Sequence, residues 1–569
     1  MTHNNEFERS PVKPERLEPA RHFAASYSGE HVAGTEFVIG ALFVAWGVGV
    51  QDILWGLLWG NLLAVLTWGL VCAPIAVSTR LTLYAYLERI GGKGIINLYS
   101  IVNGVLFCVL AGTMITVSAS AARILFDIPP QVDWYPTSAG FVVVALLVGA
   151  LVTVIAAKGF RRVAIFSQVC APWMILMFLV GAMTMFSVLS AQTPEIPGQS
   201  VAERLLSIAD AQIWRGDEGG LGLWHVAAFA WVANLAMHGG LSDMTLLRYA
   251  RRSSYGFLSV LGMFIGHYAA WLCAGVMGAG AAFMLKVSIQ ELDAGAVAYQ
   301  ALGATGILVV IIAGWTTSNP TIYRAGLAFQ SLYPRWNRTA VTAVTGLVTT
   351  IIACFPFVFT QLMSFVGLMG LILAPIGAVI VTEHWLFPRL GLTRYWNHYR
   401  GGYLNWPACL AWGLSLLAAW GFNSLGLHLF FLLLPTWVIA TLIYAGLAAL
   451  CGAREPYTEE SALYEKRETE RREQERHYLE QLRNVKASGS HSGSSLTQTI
   501  SISVAVLSLL WCLALGVQAL RTGSIDVVKD WLLFPTVLYM VTATLWSLLK
   551  ERQGSALREA TFSQDARKQ

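Results

Sequence analysis

Long apolar runs separated by short polar ones repeat from near residue 30 almost to the end of this chain. Runs of roughly 18 apolar residues or more are long enough to cross a bilayer as helices. The pattern predicts about fourteen such helices, near 33–50, 53–78, 98–122, 138–157, 163–190, 223–246, 255–284, 300–319, 340–358, 361–381, 406–421, 426–450, 498–520 and 530–549. Two polar stretches break the rhythm. Residues 192–222 form a loop with Pro194 and Pro197, in which Leu205, Leu206 and Trp214 predict a short helix lying against the membrane. Arg454 to Lys486 is densely charged and reads as a solvated helix without a sustained heptad, followed by a Gly/Ser linker at 488–495.

Three spans carry polar residues at bilayer depth, where such groups survive only against protein, water or an ion. The first is GEHVAGTEF, Gly29 to Phe37, which sets Glu30, His31 and Glu36 around Gly34. The second is WVANLAMHGGLSD, Trp231 to Asp243, where paired Gly239 and Gly240 predict local unwinding. The third is Ile311 to Pro334, with Thr316, Thr317, Ser318, Asn319 and a Pro320 expected to kink or loosen the helix. Breaks in a first and a sixth helix, five spans apart, are the mark of an inverted repeat with its site at the midplane. The predicted fold is therefore an all-α polytopic membrane protein, a LeuT-like core of five plus five helices with helices 1 and 6 broken. The remaining intramembrane polar residues have plainer readings. Asn61, Asn103 and Gln168 are expected to bond across helix contacts, and Trp55, Trp59, Trp68, Trp173 and Trp271 to serve as belt or core.

Composition agrees, since the 569 residues are 56% hydrophobic and only 12% charged, against about 25% charged in soluble chains. Eight scattered cysteines without a C-x-x-C read as buried thiols. The net charge of +5 is explained by loop residues such as Arg80, Arg89, Arg248, Arg251, Arg389 and Arg394, so no nucleic acid is implied. Placing these loops inside, and the acidic 195–218 and 291–293 loops outside, satisfies the positive-inside rule. Both termini are then expected in the cytoplasm and the protein in an inner or plasma membrane. The expected divisions are a tail at 1–30, the repeat core at 31–381, two further spans at 382–452, the charged segment and linker at 453–497, a hairpin at 498–550 and a tail at 551–569. The hairpin is expected to be dispensable for transport.

WTTSNPTIYRAGL (Trp315 to Leu327), QDILWGLLWGN (Gln51 to Asn61) and LLRYARR (Leu246 to Arg252) resemble the eighth helix, the second helix and the exit of the sixth helix in the nucleobase–cation symporter family, which includes cytosine permeases and hydantoin transporters. The resemblance implies a sodium site on Ala313, Thr316 and Thr317, completed by carbonyls near Glu30 and Ala33. Spacing of i, i+3 and i+4 places the first three on one helix face. It also implies substrate contacts at Asn234, Ser318 and Asn319. This chain lacks a tryptophan in the third-helix stretch NGVLFCVLAG and carries Asn234 where the family places an aromatic ring. Trp231, His238 and Glu36 complete the candidate substrate set. The implied function is sodium-coupled symport of a small nitrogen-containing solute, nucleobase-like, with the bilayer and that solute as partners. The alternatives are sodium- or proton-coupled symport of an amine or zwitterion, with Glu36 or His238 titrating, and a transporter-derived sensor using the charged arm. No zinc spacing, Gly-x-Ser-x-Gly or phosphate loop points to an enzyme.

Overall fold

The computed structural model describes residues 10–157, 160–194, 196–333, 335–488 and 496–565, with side chains described outside 160–168, 358–360, 483–488 and 551–565. Expectations resting on Lys158, Glu195, Pro334, the 489–495 linker and the side chains of Arg161, Arg162 and Gln168 fall outside that range. Among the described residues ten helices are long and apolar enough to span: Val50–Thr79 (α3), Leu83–Phe126, Ala139–Ala157, Val169–Ser190, Ser253–Leu285, Ala304–Leu332, Gln361–Leu390, Leu429–Leu450, Leu496–Thr522 and Asp526–Lys550. Three shorter apolar helices and Trp406–Ser424 bring the number to the fourteen read from the sequence.

The first span is two helices, Ala20–Glu30 (α1) and Thr35–Ala45 (α2), with His31 to Gly34 unwound between them. Residues 20–30, expected as tail, form a helix that buries Phe23, Tyr27 and Gly29. The sixth span is Leu223–Val232, then Leu235–His238, then a break at Gly239 to Asp243 before Met244–Leu247. Leu241 adopts a left-handed φ of 63°, which costs a non-glycine residue about 1 kcal/mol or more and stops the helix. Both breaks fit their surroundings because glycines face them. A Cβ on Gly34 would lie 2.7 Å from Val117, and one on Gly377 would lie 1.9 Å from the Gly239 carbonyl oxygen.

The two halves exchange partners in the way an inverted repeat requires. The outer half of the first span packs on the seventh, Ser253–Leu285, where a Cβ on Gly40 would meet the Trp271 oxygen at 2.4 Å. The outer half of the sixth packs on α3, where a Cβ on Gly60 would meet the Ala227 oxygen at 2.3 Å. Small residues thus let the backbones approach at both crossings, as membrane helix pairs require. Second helix and seventh helix also share a π-helical stretch, at Trp68–Cys72 and Leu261–Ala270, which re-aims the side chains that follow.

The eighth span, Ala304–Leu332, stays helical across Pro320, without the unwinding seen in the first and sixth. Side chains beside the proline bond back along the helix, Asn319 Nδ2 to the Trp315 oxygen at 2.8 Å and Thr321 Oγ1 to the Thr317 oxygen at 2.7 Å. Asn61 bonds within its own helix, to the Leu57 oxygen, whereas Asn103 donates to the Tyr84 hydroxyl across the break at Gly92. The helix expected in the 192–222 loop forms at Val201–Gln212, closed by a capping box between Ser200 and Glu203. The C-terminal hairpin packs on the fifth span: Trp173 donates to Thr536 Oγ1 at 3.1 Å and Tyr539 to the Val169 oxygen at 2.7 Å.

Candidate functional site

The unwound turn of the first span lies against the eighth. A Cβ on Gly34 would stand 3.2 Å from the Gly314 nitrogen, so no side chain fits between the two backbones. On the eighth helix, Thr316 Oγ1 and Thr317 Oγ1 both donate to the Ala313 oxygen, at 3.0 and 2.9 Å. Each hydroxyl proton is committed to the helix, so each oxygen keeps lone pairs for another group. Ala313, Thr316 and Thr317 are fully buried, and Thr316 faces the Met174 sulfur of the fifth span at 3.9 Å. Neutral hydroxyl oxygens beside an unwound backbone form a donor set suited to a monovalent hard cation that must also leave. Among the described residues no cluster of His, Cys, Asp or Glu has the arrangement for a bound metal, so a divalent site has no comparable support.

Beside this turn is a buried cavity of about 70 Å³. Its polar lining comes from Glu36, His31, Asn234, His267, Trp271 and Thr321, its apolar walls from the third and tenth spans. Glu36 enters because the helix restarts at Thr35. Its carboxylate accepts from Trp271 Nε1, and its other oxygen lies 3.8 Å from His267 Nε2. His267 and Trp271 are one turn apart on the seventh span and stack at 4.3 Å and 13°. Asn234 Nδ2 lies 3.2 Å from His267 Nε2. With the amide donating, Nε2 accepts and the imidazole proton sits on Nδ1, which is buried without a protein partner. The cavity therefore sets the Glu36 carboxyl and the His267 imidazole side by side.

A second network closes one end of this region. Arg324, three residues past Thr321, pairs with Glu30 and reaches Asp243 Oδ1 at 3.4 Å. Asp243 Oδ2 also accepts from Tyr27 at 2.6 Å and from Trp68 Nε1 at 2.7 Å. Four elements, α1, α3, the inner end of the sixth span and the eighth, are thus tied at one buried point.

Of the residues expected to bind substrate, Glu36 and Asn234 line the cavity; four do not. Trp231 turns to α3, where its Nε1 bonds Thr67 Oγ1 at 3.1 Å, and His238 bonds the Trp231 oxygen and packs on Trp68. Ser318 and Asn319 bond back to the Trp315 oxygen, and Thr321 lines the cavity in their place. Ala33 lines the cavity and lies beside Gly34 at the close approach to Gly314. Glu36 meets His267 of the seventh span rather than His31, its neighbour around Gly34. The residues missed are His267 and Trp271, an i, i+4 pair on one face of an apolar span, and Arg324, an arginine continuing the face of Thr317 and Thr321.

This architecture is that of LeuT-like transporters. A structure of Mhp1, a nucleobase–cation-symport-1 family transporter, closed with bromovinylhydantoin bound, superposes with a TM-score of 0.59 over 79% of this chain and 98% of that one, at 14% identity. A sodium-coupled sialic acid symporter in a substrate-bound outward-open state gives 0.54 over 76% and 90%, at 12% identity. No family model and no curated protein sequence matches the chain. At these identities the likeness defines the fold, a multi-pass helical one shared with membrane transporters.

Proposed function

We propose that this protein is a sodium-coupled symporter of the nucleobase–cation type, importing a small nitrogen-containing solute by alternating access with both termini in the cytoplasm. The carrying observation is the pair of buried hydroxyls, Thr316 and Thr317, with protons committed to Ala313 and the unwound Ala33–Gly34 turn against the same helix. Sodium bound there would hold the first and eighth spans together and shape the cavity beside it. The cargo would place a donor on Glu36, with the apolar walls against its ring. A second reading, symport of an amine, is favoured by Glu36 itself, whose only ionisable partner among the described residues is His267 at 3.8 Å. A panel of N-heterocycles and amines, screened for thermal stabilisation of the purified protein, tests both. Stabilisation by a solute in sodium and not in choline supports the proposal, because a ligand bound to the folded state raises its stability. Stabilisation equal in both salts overturns the coupling.

A further inference from the structure

The charged helix Thr458–Ser488 lies across the ends of the spans on the face that carries the N-terminal segment, which packs on it at Pro14–Arg16. Its anchor is Arg80, the last residue of the second span, held at a left-handed φ of 60°. The Arg80 guanidinium is wholly buried, donates to the Arg248 oxygen at 3.0 Å and to the Ala250 oxygen, and pairs with Glu475 of the charged helix. Among the described residues Glu475 is the one carboxylate that neutralises it. Arg471, one turn earlier, donates to the Ser78 oxygen at 2.6 Å and pairs with Glu468 and Glu475. Tyr464 packs on Tyr395 at 4.8 Å.

We propose that this helix is an autoinhibitory strap that holds the inner gate shut. The chain of contacts is short. Glu475 fixes Arg80, Arg80 fixes the connection at Arg248–Ala250, and that connection follows directly on Asp243–Leu247. Asp243 is the residue that draws Tyr27, Trp68 and Arg324 together over the cavity end. Ala250 also bridges Glu18, and Glu18 N donates to the Tyr249 oxygen at 2.8 Å, so α1 hangs on the same connection. Opening this end requires α1 and the inner end of the sixth span to leave Asp243, and the strap resists by keeping their common support in place. Lifting the strap strands a buried guanidinium with carbonyl partners alone, which favours release of the 248–250 connection. The proposal rests on the transporter reading for what the gate admits, but its test needs no cargo.

The experiment is hydrogen exchange on full-length protein in nanodiscs, comparing wild type with Glu475→Gln, Glu475→Lys and Arg471→Gln. The amides of Ala20–Glu30 and Met244–Ala250 should exchange at least tenfold faster in both Glu475 variants, with Lys exceeding Gln and Arg471→Gln intermediate. Trp406–Ser424, remote from the strap, should keep its wild-type rate. Unchanged gate exchange while the strap itself exchanges faster would show an undocked helix that locks nothing. A rise shared equally by Trp406–Ser424 would assign the helix to general stability and also overturn the proposal. Arg471→Gln keeps the Arg80 pair, so it provides a readout in a protein whose buried ion pair is intact.

Discussion

Replacing Glu36 with glutamine separates the two cargo classes that the cavity admits. Gln keeps the size and leaves an amide oxygen for the Trp271 N–H, so the helix contact survives as a neutral hydrogen bond. That exchange of a charge-assisted bond for a neutral one costs about 1 kcal/mol, and the melting temperature should fall by only a few degrees. The effect on cargo depends on charge. A cationic solute loses a charge-assisted bond in a site from which water is largely excluded, about 2 kcal/mol, or roughly 30-fold in Kd. A neutral heterocycle donating one N–H still finds an acceptor and should lose less than about threefold. Uptake competition in vesicles, with matched charged and neutral analogues against wild type and Glu36→Gln, reads this difference directly. Equal losses for both sets would refute the reasoning and leave Glu36 as a clasp between the first and seventh spans. The contrasting variant is Trp271→Phe. It leaves a carboxylate only 3% exposed without its N–H donor and should destabilise the fold by about 1–3 kcal/mol.

Other outcomes follow from the geometry. Gly60→Ala drives a methyl to 2.3 Å from the Ala227 oxygen and should cost about 1–3 kcal/mol in a detergent melt, whereas Gly413→Ala, with nothing within 4 Å, should be neutral. Arg324→Gln leaves Glu30 and Asp243 as two buried acids without their cation, and should lower stability by about 3–5 kcal/mol, measured the same way. Ending the chain after residue 488 keeps the charged helix and removes Thr536 and Tyr539 from the fifth span. The shortened protein should melt lower and transport less than the full chain, and wild-type uptake would return the hairpin to the dispensable role that its sequence suggests.

The spans and both helix breaks were legible because bilayer thickness and glycine's helix cost act locally, residue by residue. The Gly239–Gly240 pair and Gly34 marked the breaks directly. The continuity of the eighth helix was not legible, because Pro320 signals a kinked or loosened turn whereas the helix carries on through it. The contacts expected at Ser318 and Asn319 came from the family resemblance, and both side chains instead bond back to the Trp315 oxygen while Thr321 lines the cavity. His267 and Trp271 escaped because an apolar span reads as packing, and their inward aim follows a π-helical stretch that hydropathy does not reveal. The half-helix α1 escaped for the opposite reason: it is short and polar, and its burial comes from Trp68, Tyr255 and Asp243, all distant in sequence.

The central claim, sodium coupling at the eighth-helix hydroxyls, is tested most directly by solute uptake into vesicles under an imposed sodium gradient. The solute is one that stabilises the purified protein, and wild type is compared with Thr316→Ala and Thr317→Ala. Wild type should accumulate it only while the gradient lasts. Each variant, missing one of few oxygen ligands, should need at least about tenfold more sodium for half-maximal uptake, equivalent to about 1.4 kcal/mol. Accumulation driven by a proton gradient alone, or wild-type sodium curves in both variants, would contradict the account.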